Sequence, residues 1–230
     1  MQGLLLINKP VGWTSFDVVN YIRKIVAAEE GKKPKNVKVG HTGTLDPLAT
    51  GLLVVLVGKE YTRRAAEWSK LDKTYEVTMR LGETSTTGDD EGAKTTVSDR
   101  VPMCEELEAA LEKWTGDIMQ TPPVYSAMKV GGVRAYKLAR AGKAVVLEPR
   151  PARVYSSGLS AYDYPAVQFT SRVSSGTYIR SLVEDIGKAL GTGAYMAGLR
   201  RTTVGSFDIS AALEVQGITA TNITQNLLTF

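Results

Sequence analysis

The chain has 230 residues, of which 43% are hydrophobic and 23% are charged, and its formal net charge is +4. These values are typical of a globular protein with a buried core, and no apolar run is long enough to span a membrane. One cysteine (Cys104) and one histidine (His41) exclude an internal disulfide, argue against a zinc site and fit the reducing cytoplasm.

The first part of the chain predicts a strand, a helix and a second strand. Residues 3–7 are a short apolar run that ends before Pro10, which predicts a short buried strand. Residues 52–57 (LLVVLV) are a continuous apolar run, which predicts a second buried strand. Thr14 or Ser15 is placed to cap a helix. Its predicted inward face consists of Phe16, Val19, Ile22 and Val26. Residues 27–38 are polar and basic, so we expect an exposed loop there.

Alternating strands and helices continue to the C-terminal end. Residues 73–81 alternate apolar and polar side chains, which predicts a half-buried strand. Residues 82–92 (GETSTTGDDEG) form a turn-rich acidic stretch, which predicts a solvated loop. The remaining predicted elements are a helix carrying Leu107, Leu111 and Trp114, a basic excursion over 121–151 with a helix at 135–141, a strand at 166–173, a helix at 177–190, a strand at 203–209 and a short tail at 210–230. This order favours one α+β domain over residues 1–230.

Residues 40–51, GHTGTLDPLATG, form the stretch with the clearest chemical potential. Three glycines and an Asp-Pro pair disfavour a helix interior and favour a shaped loop. Asp46 lies at its centre, and Pro47 disfavours the α region for Asp46 and removes one backbone donor. Alternatively, Asp46 could cap one helical turn that Gly51 ends. An aspartate can also combine capping with chemistry.

Two common nucleotide-binding motifs are excluded by spacing. Six residues separate Gly51 from Gly58-Lys59, whereas a phosphate-binding P-loop has four and a hydroxyl residue after the lysine. The glycines at 187, 191 and 193 do not follow a predicted strand, so a dinucleotide fingerprint is also absent.

Five stretches in one order carry a resemblance to a known family: NKPVGWTS (8–15), GHTGTLDPLATG (40–51), KTYEV (73–77), PPVYSAMKVGG (122–132) and SSGTYIRSL (174–182), followed by Leu199-Arg200-Arg201. Residues 3 to about 209 resemble the catalytic domain of the TruB family of tRNA pseudouridine synthases. The resemblance implies the pseudouridine synthase fold, a central and mainly antiparallel mixed sheet flanked by helices and loops. It also implies isomerisation of the T-loop uridine (position 55) of tRNA to pseudouridine.

The resemblance further implies roles for individual residues. Asp46 matches the catalytic nucleophile, Arg180 matches its cationic partner, and Tyr75 matches an active-site tyrosine that stacks on the flipped uracil. Tyr178 and Leu199 match residues that line the same pocket, and His41 matches a histidine that enters the T-loop. Lys9 would support the active-site loop, and Lys129 would lie in an RNA-binding flap. From pattern alone, Arg180 could equally be an exposed helix residue and Tyr75 a core aromatic.

The family resemblance implies neither a cofactor nor a metal. It implies a monomer that binds the T-arm of tRNA, without a membrane or an obligate protein partner. Family members usually continue into a C-terminal RNA-binding domain, which we expect this chain to lack because it stops at Phe230. Two other functions remain open: a tRNA-binding folding factor without catalysis, and a pseudouridine synthase that acts on another RNA. Solvated surface is the alternative interpretation of the basic clusters at 32–38 and 129–143.

Overall fold

Strands and short helices alternate along the chain, as a computed structural model of residues 1–230 shows. The helices are α1 (Ser15–Glu29), α2 (Lys59–Arg63), α3 (Ala65–Ser69), α4 (Cys104–Lys113), α5 (Ala135–Arg140) and α6 (Ile179–Ala189). The strands are β1 (Gly3–Lys9), β2 (Val39–His41), β3 (Thr50–Val57), β4 (Lys73–Leu81), β5 (Glu83–Ser85), β6 (Lys94–Thr96), β7 (Gly116–Gln120), β8 (Lys129–Val130), β9 (Val133–Arg134), β10 (Arg150–Asp163), β11 (Ala166–Val173), β12 (Ala194–Val204), β13 (Phe207–Asp208) and β14 (Leu213–Glu214).

The chain divides into two units whose boundaries fall within β4 and β12. Unit 1 comprises residues 1–75 and 200–230, and unit 2 comprises residues 76–199. The prediction of one domain over residues 1–230 stays a prediction.

Unit 1 contains a mixed sheet built on two apolar strands. β1 lies between β3, to which it is antiparallel, and β14, to which it is parallel. β2 pairs antiparallel with β3, and the end of β12 pairs parallel with the start of β3. Every residue of β3 after Thr50 is buried, as expected for a strand covered on both faces.

Helix α1 covers one face of this sheet. Thr14 caps it, and Asp17 completes a capping box with the Thr14 backbone. Its buried side includes Val18, Val19, Ile22 and Val26. The prediction that Phe16 belongs to this face is wrong: Phe16 is 59% exposed. Because apolar side chains lie at both positions 16 and 18, spacing alone could not identify the buried one.

Unit 2 contains a sheet and two small hairpins. Its strands follow the order β4, β11, β10, β7, and β10 is antiparallel to both neighbours. The hairpins are β5–β6 and β8–β9. Alternate residues of β4 from Lys73 to Leu81 are buried, as the sequence predicts. The predicted α+β class with a mainly antiparallel mixed sheet is confirmed.

Several elements differ from the sequence predictions. The predicted loop at 27–38 begins inside α1, which continues to Glu29, and Val37 is buried. The loop at 82–92 includes β5 and a buried Asp89. Strand β10 was missed. The last strand, predicted at 203–209, is instead the end of β12, a turn at Gly205 with a positive φ of 57°, and β13.

The C-terminal residues 210–230 pack on unit 1. Val215, Ile218 and Ile223 are buried in the same core cluster as α1 and the inner residues of β1 and β3. β14 extends the sheet, and Leu228 exchanges two backbone hydrogen bonds with Leu4. The tail is thus part of the core of unit 1. None of the helices of the chain is long and apolar enough to cross a membrane.

Candidate active site

Asp46 begins a tight turn that leads directly into β3. The Asp46 carbonyl accepts a hydrogen bond from the Ala49 amide at 3.0 Å, so residues 46–49 form a β-turn. Aspartate at the first position and proline at the second are favoured in such turns. Since Thr50 and Gly51 belong to β3, the alternative of a helical turn ended by Gly51 is wrong. The turn presents a half-buried Asp46 just before the first residue of β3.

Residues 9–15 hold this turn on both sides of Asp46. The Ser15 hydroxyl accepts from the Leu45 amide (2.8 Å) and donates to the Leu45 carbonyl (3.1 Å). On the other side, the Gly12 amide donates to the Pro47 carbonyl at 2.8 Å. Because both backbone neighbours of Asp46 are fixed by hydrogen bonds, little conformational freedom remains to be lost when a substrate binds.

Lys9 lies fully buried beneath the same turn. Its ammonium donates to the carbonyls of Trp13 (2.6 Å) and Pro10 (2.9 Å), with Pro47 at 3.5 Å. Burial lowers the pKa of Lys9 to about 8, and the charge of Asp46 opposes that shift. Lys9 is therefore mostly charged at neutral pH. These contacts support the expected role of Lys9 in holding the loop.

His41 ends β2, and its Nδ1 accepts a hydrogen bond from the Gly43 amide at 3.3 Å. Burial, and then the charge of Arg201, lower its pKa. His41 is therefore neutral at pH 7, with its proton on Nε2. Its half-buried position is compatible with the expected contact to RNA.

Arg201 is a residue of this site to which the sequence assigns no role. It is only 1% exposed, and its guanidinium donates to the Leu52 carbonyl (2.7 Å) and the Gly43 carbonyl (3.0 Å). The adjacent pair Arg200-Arg201 was visible in the sequence. However, only the position of β12 reveals which arginine is buried.

Arg180 forms the corresponding polar centre of unit 2. It is 7% exposed, so its interpretation as an exposed helix residue is wrong. Its guanidinium donates to the Asp89 carboxylate (3.2 Å), the Thr87 carbonyl (3.1 Å) and the Tyr125 carbonyl (2.7 Å). It thereby joins α6 to the acidic loop and to the PPVYSAMKVGG stretch.

Asp89 is the second residue that sequence reasoning missed. The prediction that its loop is solvated is wrong at this position, because Asp89 is 3% exposed. The Thr87 hydroxyl and the Glu91 amide also donate to its carboxylate. A buried carboxylate requires such partners, and none of them could be identified from acidic composition alone.

The other predicted site residues lie in well-defined positions. Tyr75 is buried in β4, and Leu199 is half-buried in β12. Tyr178 precedes α6, where its amide and carbonyl bind the side-chain amide of the buried Gln120 at 2.7 and 3.0 Å. Lys129 is exposed in the β8–β9 hairpin. Lys9, His41, Asp46 and Tyr75 belong to unit 1, whereas Lys129, Tyr178, Arg180 and Leu199 belong to unit 2.

A pH dependence follows from Lys73, a second buried lysine of unit 1. Burial, and then the charge of Arg201, lower its pKa from 10.5 to about 8. At pH values between these two pKa values, Lys73 binds a proton in the unfolded chain but not in the folded one. The free energy of unfolding should therefore rise with pH by up to about 1.4 kcal/mol per pH unit from this group. Urea unfolding of wild type and Lys73→Met between pH 8 and 10 should show a smaller rise in the variant. Lys70→Met, at an exposed neighbour, should retain the wild-type slope. Equal slopes of the free energy of unfolding against pH in all three proteins would contradict the lowered pKa of Lys73.

The family model described as TruB family pseudouridylate synthase (N terminal domain) matches residues 30–179. The chain belongs to the TruB family. The model of the tRNA pseudouridylate synthase B C-terminal domain matches residues 180–227. The predicted family and enzyme class, a pseudouridine synthase of TruB type, are thereby confirmed.

Named relatives of this TruB-family chain include two bacterial proteins called tRNA pseudouridine synthase B. The protein of Cupriavidus metallidurans is 44% identical over 96% of this chain and 68% of its own length. That of Clostridium novyi is 42% identical over 99% of this chain and 76% of its own length.

Solved structures of the same fold include the protein matched in a Cbf5–Nop10–Gar1 complex. It is 30% identical, with a TM-score of 0.70. The chain matched in an H/ACA ribonucleoprotein bound to a substrate RNA containing 2′-deoxyuridine is 28% identical, with a TM-score of 0.66. Both matches include 93% of the TruB-family chain, which spans only about half the length of these two proteins.

Proposed function

We propose that the chain isomerises the T-loop uridine at position 55 of tRNA to pseudouridine. The reaction breaks the bond between C1′ and N1, rotates the uracil, forms a bond between C1′ and C5 and releases the C5 proton as N1 gains one. Product and substrate are isomers, so the reaction needs no redox partner. The observation that carries the proposal is the Asp46 turn, fixed at Leu45 and Pro47, in a chain of this family.

Asp46 supplies the carboxylate that acts on the ribose or the base. Its fixed backbone is suited to this task, because small misplacements of a reacting group cost much rate. Three routes are open to the Asp46 carboxylate: attack at C1′, addition to the uracil ring, and proton removal from C2′. Each of them requires the carboxylate beside the target nucleotide. Arg180 matches the cationic residue of the family's active site, and within unit 2 the Asp89 carboxylate accepts a hydrogen bond from its guanidinium.

The uridine must leave its stack before Asp46 can reach it. Tyr75 stacks on the extracted uracil, and Tyr178 and Leu199 match residues that contact the uracil in the family. His41, neutral at pH 7, enters the T-loop near the flipped nucleotide and can donate a hydrogen bond through Nε2. Lys9 supports the loop that carries Asp46. The enzyme acts as a cytoplasmic monomer and needs no protein partner.

The β8–β9 hairpin and α5 provide a basic surface for the RNA backbone. Lys129 and Arg134 pair across the hairpin, and Arg140 lies at the end of α5 over the Tyr136 ring at 5.8 Å. All three charged side chains are exposed. Phosphate contacts of this kind provide affinity and orientation without sequence information.

Affinity for a T-arm hairpin should therefore fall steeply with salt. The slope of log K against log salt should be about −0.7 to −0.9 per neutralised phosphate. Lys129→Glu and Arg140→Glu should each weaken binding and make the slope less steep, as measured by fluorescence anisotropy over a salt series. Lys113→Glu changes charge equally at an exposed position of α4 and should leave the slope unchanged. Wild-type slopes in both Lys129→Glu and Arg140→Glu would show that this surface is merely solvated.

Tritium release tests the reaction itself. A T-arm hairpin carrying [5-³H]uridine should lose its label only as C5 forms its bond to C1′. A hairpin of equal length with a different loop should retain its label. Binding without release would favour a non-catalytic RNA-binding protein, and faster release from an unrelated RNA would favour another substrate.

A further inference from the structure

Arg201 connects the two ends of the segment that carries Asp46. Its Nε donates to the Leu52 carbonyl and its Nη2 to the Gly43 carbonyl. Asp46 lies between these two acceptors along the chain. One planar side chain therefore fixes the spacing between the start and the end of the loop, independently of the contacts from Lys9, Gly12 and Ser15.

Glycines on either side of Asp46 allow this close approach. Gly51 pairs with Arg201 in the sheet, and its φ is +100°. A Cβ at Gly51 would lie 2.3 Å from the Arg201 carbonyl oxygen, and one at Gly43 would lie 3.3 Å from Nη1. The Gly43 and Gly51 positions are thus shaped around Arg201 as well as around the turn.

Burying the charge of Arg201 costs free energy, so stability alone does not account for an arginine at this position. Its charge is buried near Lys9 and Lys73, and it lowers the pKa of both. A buried charge is often less stabilising than an apolar residue of similar size. The guanidinium does, however, present several donors in a rigid plane, whereas a lysine is a point charge on a flexible stem. The geometry matches a need for defined spacing rather than for stability.

We propose, on the basis of the proposed function, that Arg201 is a positioning residue for the isomerisation. It holds Gly43 and Leu52 at the separation that presents the Asp46 carboxylate to the flipped uridine. It acts through the loop backbone and does not itself contact the reacting atoms.

Two substitutions separate the geometry of Arg201 from its charge. Arg201→Lys keeps the charge but replaces the separate Nε and Nη2 donors with a single ammonium on a flexible stem, and Arg201→Met removes the charge as well. For Arg201→Lys we expect kcat to fall at least about tenfold, since misplacement of about 1 Å can cost about a hundredfold, while the Kd for the T-arm hairpin changes less than about threefold. Arg63→Lys and Arg63→Met, at an exposed position of α2, are the matched controls and should change neither quantity.

Hydrogen–deuterium exchange reports on the loop without any reaction. Peptides covering residues 43–52 should take up deuterium faster in Arg201→Lys than in wild type, while peptides from unit 2 should be unchanged. His41 is the only histidine of the chain, so its ring protons give one resolved NMR titration. Its pKa should rise in Arg201→Met and remain near the wild-type value in Arg201→Lys.

The outcomes distinguish this inference from the proposed function. Unchanged exchange at residues 43–52 in Arg201→Lys would overturn the positioning role, whatever the activity. Wild-type kcat in Arg201→Lys would overturn it as well, because charge alone would then suffice. A loss of RNA affinity without a loss of kcat would make Arg201 a binding residue instead. If wild type releases no tritium, the proposed function fails, and the exchange experiment still decides whether Arg201 orders the loop.

Discussion

Asp46→Asn is expected to abolish pseudouridine formation, with a fall in rate of at least about 10⁴-fold, the scale on which loss of a catalytic nucleophile acts. The substitution preserves side-chain volume and removes only the negative charge. The turn should survive, because the Asp46 carbonyl and the fixed neighbours Leu45 and Pro47 bind through their backbones. Tritium release from the labelled T-arm hairpin measures the rate.

Folding and RNA binding must be measured beside this rate. The thermal midpoint and the hairpin Kd of Asp46→Asn should stay close to those of wild type. Asp99→Asn makes the same chemical change at an exposed position and should keep full activity. A rate of Asp46→Asn within tenfold of wild type would remove Asp46 from the chemistry.

Asp89→Ala is expected to lower the free energy of unfolding by about 3–5 kcal/mol, the usual cost of removing one partner of a buried ion pair. The change removes the carboxylate that faces the Arg180 guanidinium, and both side chains of this pair are buried. Urea denaturation monitored by tryptophan fluorescence provides the measurement.

The neighbouring aspartate provides the control for this prediction. Asp90 pairs with Lys94 at an exposed position, where such pairs contribute about 0–1 kcal/mol. Asp90→Ala should therefore change stability little. The double variant Asp89→Ala/Arg180→Met should recover part of the loss, because it also removes the buried guanidinium that faced the lost carboxylate. Equal effects of Asp89→Ala and Asp90→Ala would show that burial of the pair contributes nothing.

The sequence was most informative where a local pattern has one physical interpretation. The alternation of β4 matches its burial residue by residue. Helix α6 ends where Gly191 adopts a positive φ of 69°, as a glycine beyond a helix C-terminus predicts. The loop at 40–51 was identified by its glycines and its Asp-Pro pair, and the turn at Asp46 follows from the same residues.

The misses arise where tertiary contacts override the local pattern. Strand β10 contains Ser156, Ser157 and Gly158 and has two register irregularities, so its alternation is interrupted. Buried charges such as Asp89 and Arg201 resemble surface residues in composition, because their partners are distant in sequence. Only the assembled fold shows which charged residues are enclosed.

Mapping pseudouridine in tRNA incubated with the protein tests the central claim most directly. An unmodified tRNA transcript, which contains uridine and no pseudouridine, is treated with wild type or with Asp46→Asn. Every pseudouridine is then located by carbodiimide modification and primer extension. The account predicts one modified position, uridine 55 in the T-loop, with wild type and none with Asp46→Asn. Modification at another position, or equal modification by both proteins, would contradict it.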